Sequence, residues 1–394
     1  MTGRFDDAAA ALGDELIAVR RELHRAVEVG LDLPRTQRIL LRELEGLGLE
    51  ITRGESSTAV TAVLRGGRPG PVVLLRGDMD GLPLTEATGL PFAAPSGAMH
   101  ACGHDLHMAG LLGAAKVLAA RRAQLPGTIV FMFQPGEEGY AGAQLMIEEG
   151  VLDAAGERAV AAYAVHVDSA TPFGQLVTRV GAMMASASAL RLTLHGTGGH
   201  AAFPQLAIDP VPVAAQLILA VQAFTARRLP ATDQAVISVT RLRSDSAASN
   251  VLAASVDIEA NIRTLSMATL ETVRTQLPPL LAGIAEANGC RLDTEFLSSY
   301  PVTYNDPAET AQVLAVLDEL VGAERVTRLP EPSMASEDFS YVLQEVPGTL
   351  VFVGAAPASG AVPMHAEITA FDDAVLPLQV SVLSELAWRR LERG

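Results

Sequence analysis

The chain is 394 residues long, 49% hydrophobic and 19% charged, which exceeds the single core of up to about 250 residues and suffices to bury two without disulfides. Its formal charge of -16 excludes a nucleic-acid partner, since phosphate binding needs clustered Lys and Arg. No uncharged apolar run of about 18 residues occurs, and Met1 to Arg25 mixes Asp, Glu and Arg with Leu and Ala instead of forming a signal segment, so a cytoplasmic protein that spans no membrane is expected.

From the N-terminus, residues 8 to 48 carry an amphipathic helical pattern broken near Gly30 to Pro34, and a first strand follows around Glu50 to Thr52. Residues 59 to 66 and 71 to 76, rich in Val and Leu with Gly and Pro between, read as paired strands. A helix from about His107 to Arg122 leads through Pro126-Gly127 into the buried-strand run Thr128-Ile129-Val130-Phe131-Met132-Phe133. Alternating strands and helices predict an α/β domain, a mostly parallel sheet with helices on both faces. The style then changes to a strand at Ala187 to Leu194, a turn at Gly196 to Gly199 and a helix at Ile208 to Arg228. Strands at Ala235 to Leu242 and Val251 to Ile262, a helix at Met267 to Ala287 and a strand at Arg291 to Phe296 complete it. This βαββαβ order is that of a small ferredoxin-like α+β domain. Helices at Asp306 to Gly322, Ser336 to Gln344 and Asp372 to Leu391, with a strand at Thr349 to Gly354, suit the first domain better. The expected organisation is a discontinuous metal-binding catalytic domain of 1–184 and 299–394 with 185–298 inserted as a lid.

Cys102 and Cys290 are the two cysteines. Cys290 reads as a buried structural thiol. Cys102 lies in Met99-His100-Ala101-Cys102-Gly103-His104-Asp105-Leu106-His107, where a Cys and a His one apart, with a glycine between them, can turn towards one ion. A lone loop histidine usually satisfies local hydrogen bonds, but three His, a Cys and an Asp within eight residues point to a metal. Glu137 and Glu138 directly follow the apolar strand in Gln134-Pro135-Gly136-Glu137-Glu138-Gly139, the strand end at which open α/β sheets bind ligands. A Glu pair standing alone reads as solvated surface; here one carboxylate can bind metal while its neighbour serves as general base. His166, inside the apolar run Tyr163 to Asp168, and His365, in Pro363 to Glu367, would by themselves read as a core histidine and an exposed loop histidine.

Further stretches are Arg76-Gly77-Asp78-Met79-Asp80-Gly81-Leu82-Pro83, Gly196 to Pro204 with Asp209-Pro210, Asn250-Val251, Asn261 to Thr264, Ser336 to Phe339 and Met364-His365. Together with the motifs above, in order and over nearly the whole chain, they resemble the M20 metallopeptidase family. Within it they resemble the amidohydrolase branch of aminoacylases, hippurate hydrolases and indole-acetyl-amino-acid hydrolases. The resemblance implies two divalent ions, of zinc, manganese, cobalt or nickel, held by Cys102, His104, Glu138, His166 and His365 with Cys102 as the bridge. It implies Glu137 as general base, Asp80 supporting a ligand imidazole through its carboxylate, and Asp78 as structural. By the same resemblance His200 reaches the active site of a neighbouring subunit, in a homodimer formed through the lid, and stabilises an oxyanion. Asn250 and Arg263 contact substrate, Arg263 being suited to a carboxylate.

The implied reaction is hydrolysis of N-acyl amino acids, with a dipeptidase or carboxypeptidase of the same family as the nearest rival. A hydrolase using Cys102 as nucleophile leaves Glu137, Glu138, His166 and His365 idle, and a non-catalytic binding protein predicts a missing ligand or base, whereas all six positions are filled. The chain departs from the family pattern at Ala26-Val27-Glu28, where His-Pro-Glu is usual, although His24 and Glu28 remain in this region, read as peripheral to the chemistry. Leu252-Ala253 in place of Ile-Pro, and Ala366 where Ser is common, bear on substrate fit and not on the metal site.

Overall fold

Side chains alternate between the two faces of a strand, so a run such as Ile129 to Phe133, with no polar face, is stable only in a sheet covered on both sides. The structure, a computed structural model describing residues 3–95 and 97–394, places it there. By their internal contacts the residues form two compact units, one of Met1–Met183, Tyr304–Glu331 and Asp338–Gly394, the other of Met184–Thr303 and Pro332–Glu337.

The first unit is built on an eight-stranded sheet in the order Glu50–Arg53, Val60–Arg65, Pro126–Gln134, Arg68–Asp78, Ala161–Asp168, Gly348–Gly354, Leu176–Thr178, Val326–Arg328. Its four central strands, Pro126–Gln134 to Gly348–Gly354, run parallel. On one face Tyr163, Val165 and Val167 join a core with Leu106 and Leu111 of the His104–Ala120 helix and Val380 and Leu383 of the Leu376–Arg393 helix. The alternate residues Ala162 and Ala164 are buried as well, on the face where the Gly142–Glu148 and Phe339–Glu345 helices pack. Because the central strands share a direction and Asp78 pairs with Gln134 and Asp168 with Gly354, their C-terminal ends form one edge. The segments carrying Asp80, Glu137 and Glu138, His166 and His365 all lie at or beyond that edge.

Two expectations are corrected. The strands near 59 to 66 and 71 to 76 are not partners, since Pro126–Gln134 lies between them, antiparallel to the first and parallel to the second. The Gly66-Gly67-Arg68 connection gives its N–H groups to the carbonyls of Gly127, Arg122 and Leu125, so it welcomes the incoming strand instead of closing a hairpin. The helix expected from His107 begins at His104, where Gly103 at φ 84 turns the chain into it. Smaller shifts are the division of the 251 to 262 strand into Val251–Leu252 and Ser255–Thr264, and the start of the 336 to 344 helix at Phe339.

In the second unit an antiparallel sheet runs Ala235–Ser244, Ser255–Thr264, Ala187–His195, Arg291–Tyr300. The Pro210–Arg228 and Met267–Ala287 helices bury Leu217, Val221, Leu277 and Leu281 against Leu192 and Ile258. Side chains of Asp209 and Ser266 cap these helices by accepting from Val211 N and Thr269 N. Cys290 is a buried free thiol of this core. Among the described residues no helix is long and apolar enough to cross a membrane.

Candidate metal centre

Gly103 sets the geometry of the Cys102-Gly103-His104 turn. Its φ of 84 lies in the left-handed region, and a Cβ there would run into the Val167 side chain, so only glycine serves. Cys102 is thereby left at the end of the loop and His104 in the first helical turn, both buried.

His104 and His166 are each oriented by a hydrogen bond on the nitrogen turned away from the cluster. His104 Nδ1 donates to the main-chain carbonyl of Asp80 at 2.7 Å, which leaves Nε2 buried without a hydrogen bond. His166 Nδ1 lies 2.6 Å from the Val167 carbonyl, and its Nε2 is 3.6 Å from Cys102 Sγ. His365 Nε2 is 3.2 Å from Cys102 Sγ and 3.3 Å from Glu138 Oε1. Donor atoms of Cys102, His104 and His166 all lie within 4.8 Å of one another, and the same holds for Cys102, Glu138 and His365 and for His104, Glu137 and Glu138. Two triads therefore meet at one sulfur.

Asp80 meets His104 through its carbonyl at 2.7 Å, with the nearer carboxylate oxygen 3.7 Å from Nδ1. The carboxylate instead accepts from Glu137 N at 2.9 Å and Glu138 N at 3.0 Å, fixing the turn that presents both glutamates. Asp78 is buried and structural in its contacts, taking Arg76 Nη1 at 2.7 Å and His107 Nδ1 at 2.5 Å.

The electrostatics suit a cation. Burial pushes the Cys102 thiol up, but His166 and His104 outweigh it and bring the group down to about 6, so it stands as a thiolate near neutrality. Burial also pushes the Glu138 carboxyl up, yet the His365 imidazole 3.3 Å away and the nearby His104 hold it below its usual range. Thiolate, imidazole and carboxylate together form a donor set for divalent transition metals. Two of its atoms, His104 Nε2 and Glu138 Oε1, are buried without an aligned hydrogen bond, a desolvation cost that a cation relieves. The residues present fit two ions.

Three residues escaped assignment from sequence. His107 Nε2 accepts from Val167 N at 2.8 Å while Nδ1 donates to Asp78, so both nitrogens are spent and burial holds its pKa down; its i,i+3 spacing from His104 was the available signal. The sequence reading sets His24 at the periphery, but its Nδ1 lies 2.7 Å from Asp105, the residue after His104. Asp338, fully buried, accepts from Arg76, Gln134 and the Ala143 amide; the Ser336 to Phe339 stretch marked it in the sequence without giving it a role.

His200, Asn250 and Arg263 belong to the second unit. His200 pairs with Val251 in a two-stranded ladder, its Nδ1 accepts from Ala202 N at 3.1 Å and its side chain is exposed. The Asn250 carbonyl accepts from Ala201 N at 3.0 Å, so these two residues share one element. Arg263 Nε donates to Asn261 at 3.1 Å, and its Nη1 is buried without a hydrogen bond.

Residues 74–389 match peptidase family M20/M25/M40. The chain is 37% identical over 345 residues to an N-acetyldiaminopimelate deacetylase of Shouchella clausii, covering 86% of this chain and 90% of that one. It is 33% identical over 372 residues to thermostable carboxypeptidase 1 of Saccharolobus solfataricus, covering 93% and 92%. The solved structure of a dinuclear metal-binding M20 peptidase from Bacillus subtilis matches with a TM-score of 0.84 at 30% identity, covering 97% of this chain and 99% of the other. With its buried donor cluster and this extent of likeness, the chain belongs to peptidase family M20/M25/M40 and is a metal-dependent hydrolase of amide bonds.

Proposed function

We propose that the protein hydrolyses the amide bond of N-acyl amino acids at a two-ion centre. The observation that carries this reading is the meeting of two donor triads at Cys102. In it Cys102, His104 and His166 would hold one ion and Cys102, Glu138 and His365 the other, Cys102 being common to both sets. Bound divalent ions supply a Lewis acid and lower the pKa of water; among them zinc, manganese, cobalt and nickel suit these donors.

Glu137 is the general base. It is 6% exposed, its carboxylate lies within 4.8 Å of the donor atoms of His104 and Glu138, and its backbone is pinned by Asp80. Glu137 takes a proton from the attacking water, the C–N bond of the substrate breaks, and the same carboxyl returns the proton to the departing amine. On the strength of the family resemblance, His200 steadies the oxyanion, Asn250 and Arg263 contact substrate, and the protein works as a cytoplasmic homodimer joined through residues 185–298.

The deacetylase relative favours an N-acyl amino acid as substrate, and the carboxypeptidase relative favours a peptide. Assays of N-acetyl, N-benzoyl and indole-acetyl amino acids beside dipeptides and longer peptides, on protein stripped with EDTA and reloaded with single metals, decide between them. Turnover of the N-acyl series, abolished by EDTA and restored by metal, is expected. Turnover of peptides alone would establish the carboxypeptidase or dipeptidase reading, and activity indifferent to EDTA would overturn the metal mechanism.

A further inference from the structure

His365 has a φ of 60 and is one of two non-glycine residues with positive φ among the described residues, Ala141 being the other. A side chain in this region strains the backbone and persists only where surrounding contacts over-determine it. Packing does not supply those contacts, because the imidazole is 51% exposed. The backbone does. His365 N donates to the carbonyl of Ala101, the residue before Cys102, at 3.1 Å, and the rest of the restraint converges on one hydroxyl.

Thr369 is 2% exposed. Its Oγ1 accepts from Ala366 N at 3.0 Å and lies 2.8 Å from the carbonyls of both Pro363 and Ala366, to which its single proton is donated. Its own N–H donates to the Ala366 carbonyl at 3.0 Å. One hydroxyl group therefore uses its donor and an acceptor site to grip the chain two residues before His365 and one residue after it. Removing the oxygen frees the Pro363 carbonyl and the Ala366 amide together, and φ at His365 can then relax to a negative value that swings the ring off its aim.

We infer that Thr369 is a positioning residue for the second ion, its hydroxyl holding the Pro363–Ala366 segment in the left-handed turn that aims His365 at Cys102 and Glu138. The inference rests on the proposed ligand set and adds a residue that touches no ion itself.

The test is titration of Zn(II) into metal-free protein, followed by calorimetry and by counting bound zinc, for wild type, Thr369→Val, Thr369→Ser and His365→Ala. Thr369→Val is expected to weaken one of the two ions by about 10- to 100-fold, as loss of a residue supporting a ligand does, while the other binds as before. Thr369→Ser restores both. Thr369→Ala serves if the valine variant does not fold, with the same expectation. Two ions bound by Thr369→Val or Thr369→Ala as tightly as by wild type, or equal loss in the serine variant, overturns the inference. If His365→Ala keeps both ions, the ligand assignment itself is what fails.

Discussion

His24 Nδ1 lies 2.7 Å from Asp105 Oδ2 inside the protein, with Arg20 Nε at the same distance from the same oxygen. His24 Nε2 lies 2.9 Å from Glu86 Oε2, and the next residue, Ala87, donates its N–H to the Glu367 carbonyl at 2.7 Å. A chain of polar contacts, buried at Asp105 and His24 and exposed at Ala87 and Glu367, thus runs from the helix that carries His104 to the loop that carries His365. Burial alone would push the His24 pKa down, but the hydrogen bonds to Asp105 and Glu86 raise it to about 9.

The folded-state value lies above the usual 6.5, so the stability His24 contributes is full below pH 6.5 and fades as pH rises through 9. It amounts to something on the order of 3 kcal/mol. His24→Gln is expected to lower Tm most near pH 6, with the gap to wild type closing by pH 10. Thermal melts of the two proteins across this range check it, and a gap independent of pH would sink the account.

Gly103→Ala places a Cβ against Val167 at a φ of 84. A cost of about 1–3 kcal/mol follows from the backbone alone, and Cys102 and His104 must separate if the turn relaxes. Chemical unfolding should show the lower stability, and zinc titration should show loss of both ions, since Cys102 serves each triad. Retention of wild-type zinc affinity would contradict the role given to the turn.

Glu137→Gln keeps the shape of the side chain and removes the base. Turnover should fall by about 10²–10⁴-fold with bound metal unchanged, as counted by elemental analysis. Full activity in the metal-loaded variant would remove Glu137 from the mechanism.

Asp338→Asn tests the buried network behind the sheet. Asp338 takes Arg76 Nη2 at 2.9 Å and Gln134 Nε2 at 2.8 Å, and Arg76 also holds Asp78. Removing one charge of a buried pair typically costs about 3–5 kcal/mol, so the denaturation midpoint should drop markedly while the conservative substitution Asp338→Glu, which keeps the charge, drops it less. Equal midpoints for wild type and Asp338→Asn would show that the guanidinium finds other compensation.

Local chemistry was readable and long-range closure was not. Cys102 and His104 stand close in sequence around a glycine, and the Glu137-Glu138 pair follows a strand with no polar face, so both were visible from composition and spacing. His166 and His365 each look ordinary among their neighbours, and only the meeting of separate strand ends at Cys102 distinguishes them; the family resemblance carried them where local reading could not. The part played by the Asp80 carbonyl was hidden because main-chain oxygens leave no trace in a sequence. Strand order failed where Pro126–Gln134 entered between two strands that are adjacent along the chain, a choice made by the crossover through the His104–Ala120 helix and not by either strand's residues. Thr369 carried no signal at all, since a threonine in a loop is common and its value comes from the carbonyls that the fold brings to it.

The sharing of Cys102 by both triads has a redox consequence. A single sulfur is common to both donor sets: under the proposed ligand assignment, peroxide that carried it to the sulfinate would remove a thiolate donor from each set together. A bound cation would draw electron density from the sulfur and make the thiolate a weaker nucleophile towards an oxidant. The vulnerable interval is therefore the one before loading, when the thiolate stands among its histidines with no ion to shield it.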